Sequence, residues 1–514
     1  MKKEIELTGE IKQLMKRRTL ILKQLCACMA VMTALTTGCA GNTNGAEEAS
    51  AGSEGTSNGS AENSQINDDG SALPDDASEG TSLSSGNDKS SENGDGGADE
   101  AESVRYAADY AQDHENSDFY VEPIENLSDD FVKGMDASAV LSLENSGVKY
   151  YDFDGNEADV FEVLADAGVT YIRLRVWNDP YDANGNGYGG GNNDVETAIQ
   201  LGKRATKYGM KVCIDFHYSD FWADPKRQHA PKAWENMDCD EKCDALYDFT
   251  KESLTQMLDA GVDVEMVQIG NEINNGMAGE KFLPKVTKLL KSGSSAVREV
   301  SDTYDKDIKI AVHYTNIEDN GQVDSMASNL ESAGLDYDIF GLSYYPFWDG
   351  SLENMQTVVK HIKETYGKTV MIMETSYCYT LNDGDGSGNS FATAGDLVKG
   401  YSPSVQGQTN MVRDVFAAAN EAGASGVFYW EGTWLPVGKA TDDNSAIWEK
   451  YGSGWASSYA SDYDPDDAGL YYGGCSWENQ ALFDFDGKPL DSLNVFKYLK
   501  LGLYREDKDT SQTN

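Results

Sequence analysis

The chain has 514 residues, of which 25% are charged, and its formal net charge at pH 7 is −46. A surface this acidic repels nucleic acid and anionic lipid and favours uncharged or cationic partners, so we predict no nucleic-acid partner. The length allows one large domain with accessory segments, or two to three ordinary domains.

Residues 1–39 have the features of an export signal. A basic stretch ending at Arg18 precedes an apolar run from Leu20 to Leu35, which is the order found in signal peptides. The run ends in Gly38-Cys39, as bacterial lipoprotein signals do, although Thr36 stands where an aliphatic residue is usual. We therefore predict an extracellular protein tethered to the outer face of the cell membrane by a lipid on Cys39. An ordinary cleaved signal is the alternative.

Residues 40–118 are rich in Ser, Gly, Asn, Asp and Glu and have very few aromatic residues. Such a composition cannot bury enough apolar surface to offset the entropy lost on ordering, so it predicts a disordered linker. We predict a folded domain over residues 119–505 and a flexible tail over residues 506–514.

Strands alternate with amphipathic helices after the linker. Eight strand–helix units predict an α/β fold, a (β/α)₈ TIM barrel with enlarged loops. A doubly wound open sheet is the alternative, but no Gly-rich phosphate loop follows the first strand. The predicted strands are Met135–Leu143, Tyr171–Trp177, Lys211–Tyr218, Val264–Glu272, Ile308–Thr315, Ile339–Pro346, Thr369–Tyr377 and Gly426–Trp434.

Alternation within two strands points charged groups into the barrel. In the second strand, the apolar residues at 172, 174 and 176 face the helices, which leaves Arg173 and Arg175 inward. The same rule turns Asp215 and His217 of the third strand inward. Because buried charges are costly unless they are paired, we predict a polar network inside the barrel.

Two apolar runs end on carboxylates, Glu272 at the end of the fourth strand and Glu374 on the seventh. Parallel strands end at the same rim, so these carboxylates are expected in one cleft. Cleavage of a glycosidic bond requires one carboxyl group to protonate the leaving oxygen and another to attack or stabilise the sugar. We predict Glu272 as the acid, with Asn271 holding a sugar hydroxyl beside it, and Glu374 as the nucleophile.

Glu374 must stay ionised to act as a nucleophile, and we predict that Arg175 is the cation that lowers its pKa. Arg175 could instead be a structural partner of Asp136 or Asp215.

Other residues at the strand ends are candidates for orienting the carboxylates or the sugar. His217, His313 and Tyr345 can orient carboxylates by hydrogen bonds, although a core histidine satisfied by a carbonyl is the commoner case. Trp348 and Trp430 are predicted to stack on sugar rings, whose C–H groups pack on aromatic faces.

The loop after the seventh strand runs from Asp383 to Asn389 and alternates oxygen-bearing residues with glycines, like the opening of a calcium loop. Ala394 stands where an EF-hand has its bidentate Glu, so further ligands must come from elsewhere. A flexible acidic turn is the alternative. The similar stretch from Asp182 to Gly187 is predicted to be held by its own Asx turns.

Eight cysteines are present, and the five beyond the signal have no regular spacing. We therefore predict no disulfide framework, and we predict that Cys239 and Cys243, four residues apart, are free thiols rather than zinc ligands.

Several long motifs together resemble a known family, the arabinogalactan endo-β-1,4-galactanases of glycoside hydrolase family 53, from about residue 130 to 500. The motifs are Gly134-Met135-Asp136, Arg173 to Pro180, Gly189-Gly190-Gly191-Asn192-Asn193, Asp215 to Asp220, Gln268 to Glu272 and Glu374-Thr375-Ser376-Tyr377.

The resemblance implies a retaining (β/α)₈ hydrolase of β-1,4-galactan, a side chain of pectin, with Glu272 as acid/base and Glu374 as nucleophile. The positions taken as substrate-binding are Asp136, Arg175, His217, Asn271, Tyr345, Trp348 and Trp430.

The resemblance also implies one structural calcium ion between the loops after strands seven and eight. Its matching positions are Asp383, Asp385, Ser387, Asn389, Cys475 and Glu478. The chain departs from the bacterial pattern at Ser387, where a His is usual, and at Cys475, where a Ser is usual.

Two other functions remain open from the sequence. One is the same barrel acting on another neutral β-glycan, such as mannan or xylan. The other is a non-catalytic, surface glycan-binding lipoprotein, against which the two intact carboxylates argue. We expect a monomer.

Overall fold

The structure, a computed structural model, describes residues 104–318 and 320–506. The predicted signal with Cys39, most of the predicted linker and the tail beyond residue 506 lie outside the described residues. Within the described ranges, no helix has the length and apolar character needed to cross a membrane.

Eight parallel strands close into a barrel in chain order. Strand 1 pairs with both strand 2 and strand 8, with Val132 opposite Gly426, and this pairing closes the cylinder. The predicted (β/α)₈ barrel is therefore confirmed. Barrel strands 1 to 8 are Val132–Asp136, Tyr171–Val176, Lys211–Phe216, Val264–Ile269, Lys309–Tyr314, Ile339–Ser343, Thr369–Thr375 and Gly426–Tyr429.

Helices surround the barrel, and five of them begin at an Asp or Ser side chain that accepts a hydrogen bond from the first turn. The apolar outer face of the strands, including Ile172 and Leu174, packs with these helices in the main core. The helices after strands 1 to 8 include Val140–Asn145, Val160–Asp166, Val195–Lys207, Cys239–Asp259, Leu283–Tyr304, Asn320–Ala333, Leu352–Tyr366 and Val405–Ala422, followed by Ser445–Tyr451 and Val495–Tyr498.

Several predicted strand ends were wrong, and those of strands 1 and 8 were the furthest out. Strand 1 ends at Asp136 rather than at residue 143, because a helix starts at Val140. Strand 8 ends at Tyr429 rather than at residue 434, and Glu431 just beyond it has a left-handed backbone. The segments that follow these strands are mostly buried and contain several apolar residues, so composition alone extends the strands too far.

The folded domain also begins earlier than residue 119. A helix at Ala107–Tyr110 precedes the strand Ser117–Val121, which pairs antiparallel with Leu503–Glu506 at the other end of the domain. The hydroxyl of Tyr110 donates to Asp414 at 2.9 Å. The predicted linker was therefore too long, because this short stretch gains its order from distant residues.

Candidate active site

Glu272 lies on a sharp turn at the end of strand 4. The turn needs Gly270 at φ +92° and also places Glu272 in the left-handed region, at φ 43°. A non-glycine residue in this conformation is uncommon and is tolerated where the surrounding structure fixes it, often at functional sites. Glu272 therefore lies three residues beyond the strand, not at its last position.

Glu374 lies within strand 7 and is 6% exposed. Its Oε1 accepts a hydrogen bond from Nη1 of Arg173 at 2.9 Å, and its Oε2 accepts one from the hydroxyl of Tyr345 at 2.9 Å. Both carboxylate oxygens are thus held by donors, and one donor carries a positive charge. The role expected of Tyr345, orienting a carboxylate, has direct geometric support.

Glu272 has a neutral partner instead. Its Oε1 accepts a hydrogen bond from Oγ of Ser343 at 2.7 Å. Ser343 is the backbone neighbour of Glu374 across strands 6 and 7, so the two carboxyl groups flank one serine. This places both of them in one cleft at the mouth of the barrel, as the sequence predicted.

The different partners separate the acidities of the two groups. Burial and the negative charge of Glu374 raise the pKa of Glu272 well above its ordinary value. Burial also raises the pKa of Glu374, but Arg173 and Tyr345 oppose that effect. The geometry therefore favours a proton on Glu272 and a charge on Glu374.

Arg173 is the centre of the network inside the barrel and is fully buried. Besides Glu374, it contacts Asp136 at 3.3 Å and Asp215 at 2.9 Å, and its Nη2 donates to Asn271 at 2.9 Å. A buried guanidinium with this many anionic neighbours stays charged.

The prediction that Arg175 lowers the pKa of Glu374 was wrong. Arg175 pairs with Asp136 at 3.1 Å and with Glu431, and it donates to the carbonyl of Gly190 at 3.2 Å. Alternation along strand 2 showed that both arginines face inward, but it could not show towards which strand each one leans. Glu431 was not anticipated, because it follows the strand on a left-handed turn.

His217 is a neutral, fixed part of this network. Its Nδ1 accepts from Nε1 of Trp177 at 3.1 Å and from the backbone N–H of Ala223 at 3.0 Å, so its proton lies on Nε2 and is donated to Asp215 at 3.1 Å. Burial lowers the pKa of the imidazole.

Three residues predicted to bind substrate have almost no exposed surface: Asp136, Arg175 and His217 are 0%, 1% and 1% exposed. Asp136 and Arg175 bind each other and His217 binds Asp215, so these side chains support the site from within the barrel, and direct contact with a sugar stays a prediction for them. Asn271 and Tyr345 are each 6% exposed and lie beside the carboxylates, so direct contact remains a prediction for these two.

A cluster of aromatic side chains lies beside Glu374. Trp348 is 52% exposed, and its ring lies 5.5 Å from that of Tyr345 and 5.8 Å from that of Trp477. Trp430 follows strand 8 rather than lying within it, and its ring is 4.7 Å from that of Trp477. Trp477 was not anticipated. The exposed face of Trp348 is available for the predicted stacking on a sugar.

A second acidic cluster lies in the loops that follow strands 7 and 8. Carboxylate oxygens of Asp383, Asp385 and Glu478 lie within 4.8 Å of one another. Oε2 of Glu478 and Oδ1 of Asn389 are buried without a hydrogen-bond partner. Burial raises the pKa of Asp385 to about 7, and burial together with the charge of Asp385 raises the pKa of Glu478 well above its ordinary value.

Cys475 and Ser387 support Asp385 through their backbones. Their N–H groups donate to its two carboxylate oxygens at 3.1 and 2.9 Å. The thiol of Cys475 accepts from the N–H of Trp477 at 3.2 Å and packs in an aromatic cluster. A soft thiol is also a poor ligand for a hard cation, so the side chain of Cys475 does not suit the predicted role.

The predicted Asx turn and the predicted absence of a disulfide framework agree with the described part of the structure. Oδ1 of Asp182 accepts from the N–H groups of Asn184 and Asn186, each at 2.8 Å, which is the expected Asx turn. All five cysteines of the described residues are free thiols.

Comparison with known proteins identifies the family. The model of glycosyl hydrolase family 53 matches residues 132–496. The chain is 53% identical over 389 residues to an endo-beta-1,4-galactanase of Bacillus subtilis (strain 168), an alignment that covers 75% of this chain and 90% of that protein. It is 34% identical over 380 residues to an arabinogalactan endo-beta-1,4-galactanase of Cellvibrio japonicus (strain Ueda107), covering 72% and 90% of the two chains.

A solved structure agrees with this assignment. The family 53 catalytic domain of Ignisphaera aggregans superposes with a TM-score of 0.65 at 38% identity, covering 74% of this chain and 99% of that one. The residues matched by the family model, 132–496, include the barrel and both glutamates described above. The chain therefore belongs to glycosyl hydrolase family 53.

Proposed function

We propose that this glycosyl hydrolase is a retaining endo-hydrolase of β-1,4-galactan, with Glu374 as nucleophile and Glu272 as acid/base. The observation that carries the proposal is the unequal environment of the two carboxyl groups, one held by Arg173 and the other by a serine hydroxyl. The named activities of the Bacillus and Cellvibrio relatives support galactan as the substrate.

The chemistry has two displacements. Glu374 attacks the anomeric carbon while Glu272 gives its proton to the departing glycosidic oxygen, so the C–O bond to the leaving sugar breaks as the bond to Glu374 forms. Glu272, now a carboxylate, then takes a proton from water, whose oxygen attacks the anomeric carbon and releases Glu374. This route requires carboxyl groups about 5–5.5 Å apart.

The direct test is incubation with linear β-1,4-galactan, with chromatography of the products and NMR of the first reducing ends formed. We expect short galacto-oligosaccharides released from within the chain, with the β configuration retained. Xylan and mannan are the parallel substrates. Hydrolysis of one of them with none of galactan would overturn the substrate, and the absence of new reducing ends on all three would favour the glycan-binding alternative.

We also propose that the second acidic cluster binds one calcium ion. Asp383, Asp385 and Glu478 offer carboxylate oxygens, and the unpartnered Oδ1 of Asn389 suits the same hard cation. Bound calcium would supply a structural link between the loops after strands 7 and 8. Elemental analysis after dialysis against calcium-free buffer with and without chelator tests this, with about one calcium per chain expected before chelation.

Export and tethering through Cys39 remain a proposal based on the sequence of residues 1–39. Replacing Cys39 by Ala should move the protein from the membrane fraction to the medium, as followed by fractionation of the expressing cells.

A further inference from the structure

The loops that follow strands 3 and 4 are joined by hydrogen bonds beside the cleft. The backbone N–H of Gly279 donates to the carbonyl of Gln228 at 2.7 Å. Nδ2 of Asn275 donates to the carbonyl of Pro225 at 2.9 Å. The side chain of Gln228 extends from the first loop to the second and is 8% exposed.

The amide group of Gln228 faces three backbone carbonyls. Its Nε2 lies 2.8 Å from the carbonyl oxygen of Asn271, 3.1 Å from that of Asp224 and 3.4 Å from that of Glu272. If the amide were turned over, Oε1 would face these three oxygens, so the nitrogen must be the atom that points at them. Oε1 is buried without a hydrogen-bond partner among the described residues. Since such an acceptor costs stability, the hydrogen bonds of Nε2 must outweigh that cost.

Two of these carbonyls lie on either side of the Cα atom of Glu272. The carbonyl of Asn271 belongs to the peptide group before that atom, and the carbonyl of Glu272 belongs to the one after it. The directions of the two peptide groups set the backbone of Glu272, which has φ 43° and ψ 52°. A non-glycine residue is strained in this left-handed region. A donor that binds both carbonyls therefore favours this conformation over the ordinary ones.

Gln228 follows a rigid turn. Within that turn, the backbone N–H and carbonyl groups of Asp224 and Arg227 bind each other at 2.9 and 3.0 Å. Nε of Arg227 donates to Oδ2 of Asp224 at 2.8 Å. Nη1 of Arg227 also lies 3.6 Å from carboxylate oxygens of Asp464 and Asp467, in the loop after strand 8. The amide donor is thus supported from two loops.

The side chain of Asn271 is held separately from its carbonyl. Its Nδ2 donates to the carbonyl of Ala223 at 2.8 Å, and its Oδ1 lies 2.9 Å from both Nη2 of Arg173 and Nδ1 of His313. Loss of the Gln228 amide would leave these three contacts in place. The effect should therefore fall on the backbone of Glu272 rather than on the side chain of Asn271.

We propose that Gln228 is a positioning residue that holds Glu272 in the backbone conformation from which its carboxyl group serves the glycosidic oxygen. The inference deepens the proposed function and rests on it, because it concerns the residue that would deliver the proton in galactan cleavage. Gln228 acts through Glu272, since its own amide nitrogen is directed at the backbone carbonyls.

The test compares kcat/KM of Gln228→Met on two substrates. Methionine keeps the length of the side chain but has no donor. Hydrolysis of galactan should fall about 10- to 100-fold, because a general acid contributes about 10²–10⁴ and a small misplacement loses part of that. A 2,4-dinitrophenyl β-galactobioside has a leaving group that departs without a proton, so its kcat/KM should change by less than about twofold.

Two further variants control for the fold. Gln228→Ala leaves space for water to reach the same carbonyls, so it should keep the fold even where methionine does not, and it should show the same difference between substrates. Asn275→Ala is the matched control, because it removes a hydrogen bond between the same two loops that involves neither carbonyl beside Glu272. Its hydrolysis of galactan should stay near that of the unmodified protein. Thermal unfolding checks each variant.

A second readout asks whether Gln228 acts through Glu272. In Glu272→Ala, turnover of the dinitrophenyl substrate is limited by release of the sugar from Glu374, because the base is missing. Adding Gln228→Met to this variant should leave kcat unchanged, since the residue that it positions is already gone. General damage to the cleft would lower kcat further.

The outcomes are distinct. Unchanged hydrolysis of galactan in Gln228→Met, equal losses on the two substrates, or a further loss in the Glu272→Ala background would each overturn the inference while the proposed function stood. An unmodified protein that hydrolyses neither substrate would instead remove the proposed function.

Discussion

Two acidic clusters, the first buried and the second partly buried, lie at the same end of the barrel, and their charges are balanced differently. In the catalytic cluster, Arg173 and Arg175 lie among Asp136, Asp215 and Glu374 and make ion pairs with them. In the calcium candidate, Asp383, Asp385 and Glu478 make no ion pair with any Lys or Arg of the described residues. Because a buried charge is costly without an opposite charge, the first cluster is balanced within the chain, whereas in the second the proposed calcium ion would supply the positive charge.

Replacement of the proposed nucleophile in the first cluster should have the largest effect on activity. Glu374→Gln keeps the shape and can still accept from Arg173 but cannot form the glycosyl ester. We expect galactan turnover to fall by at least about 10³-fold, as losses of nucleophiles do in other covalent mechanisms. Reducing-end assays measure this, with thermal unfolding as the check on the fold. Activity near that of the unmodified protein would exclude Glu374 as the nucleophile.

Removal of calcium tests the second cluster. A ligand that binds only the folded state at 100 times its Kd adds about 2.7 kcal/mol of stability, so a chelator should lower the Tm. Asp385→Asn should lose most of this sensitivity. Asp182→Asn is the matched control, because its loop is satisfied by Asx turns and should leave the chelator effect intact. Equal chelator effects in both variants would place the ion elsewhere.

The buried side chain of Glu272 should lower the stability of the fold at a pH where it must be ionised. The pKa of Glu272 is raised in the folded state above the value of about 4.3 for an unfolded chain, so its contribution is complete below that pH and lost as the pH rises through the raised value. Glu272→Gln should therefore raise the Tm at pH 8 by about 2–4 °C, the change caused by about 1 kcal/mol. The gain should vanish near pH 4. Calorimetry measures the Tm of both proteins at pH 8 and pH 4. An increase in Tm of the same size at the two pH values would contradict the raised pKa of Glu272.

The smallest expected effect is on substrate affinity. Trp348 is 52% exposed, and its loss should remove stacking worth about 1 kcal/mol. Trp348→Ala should weaken binding of galacto-oligosaccharides about fivefold, as followed by calorimetry with the inactive Glu374→Gln variant, while leaving the Tm unchanged. Unchanged affinity would remove Trp348 from the sugar site.

The side chains that point into the barrel could be predicted from sequence, because successive residues of a β-strand alternate between its two faces. Alternation turned Arg173, Asp215 and His217 inward, and apolar runs ending on carboxylates located Glu272 and Glu374. This alternation gives no information on which neighbouring strand a long side chain reaches. For this reason Arg175 was assigned to the wrong carboxylate.

Residues at the last position of a strand or beyond it were harder to predict. Ser343 and Glu431 have no pattern that separates them from ordinary strand ends, and Trp477 lies in a long loop far along the chain. Their roles depend on contacts between distant segments, which only the folded barrel brings together. The N-terminal strand Ser117–Val121 was missed for the same reason, since its partner lies almost 400 residues away.

That pairing has a consequence for how the domain can be handled. Because Ser117–Val121 pairs with Leu503–Glu506, the first and last strands of the domain lie side by side, and its two ends are close in space. A short peptide joining the two ends of the domain should allow new termini to be opened in an outer loop. Conversely, shortening the chain to residue 500 would strip the incoming strand of its only ladder in the described part of the chain, so fraying would begin there.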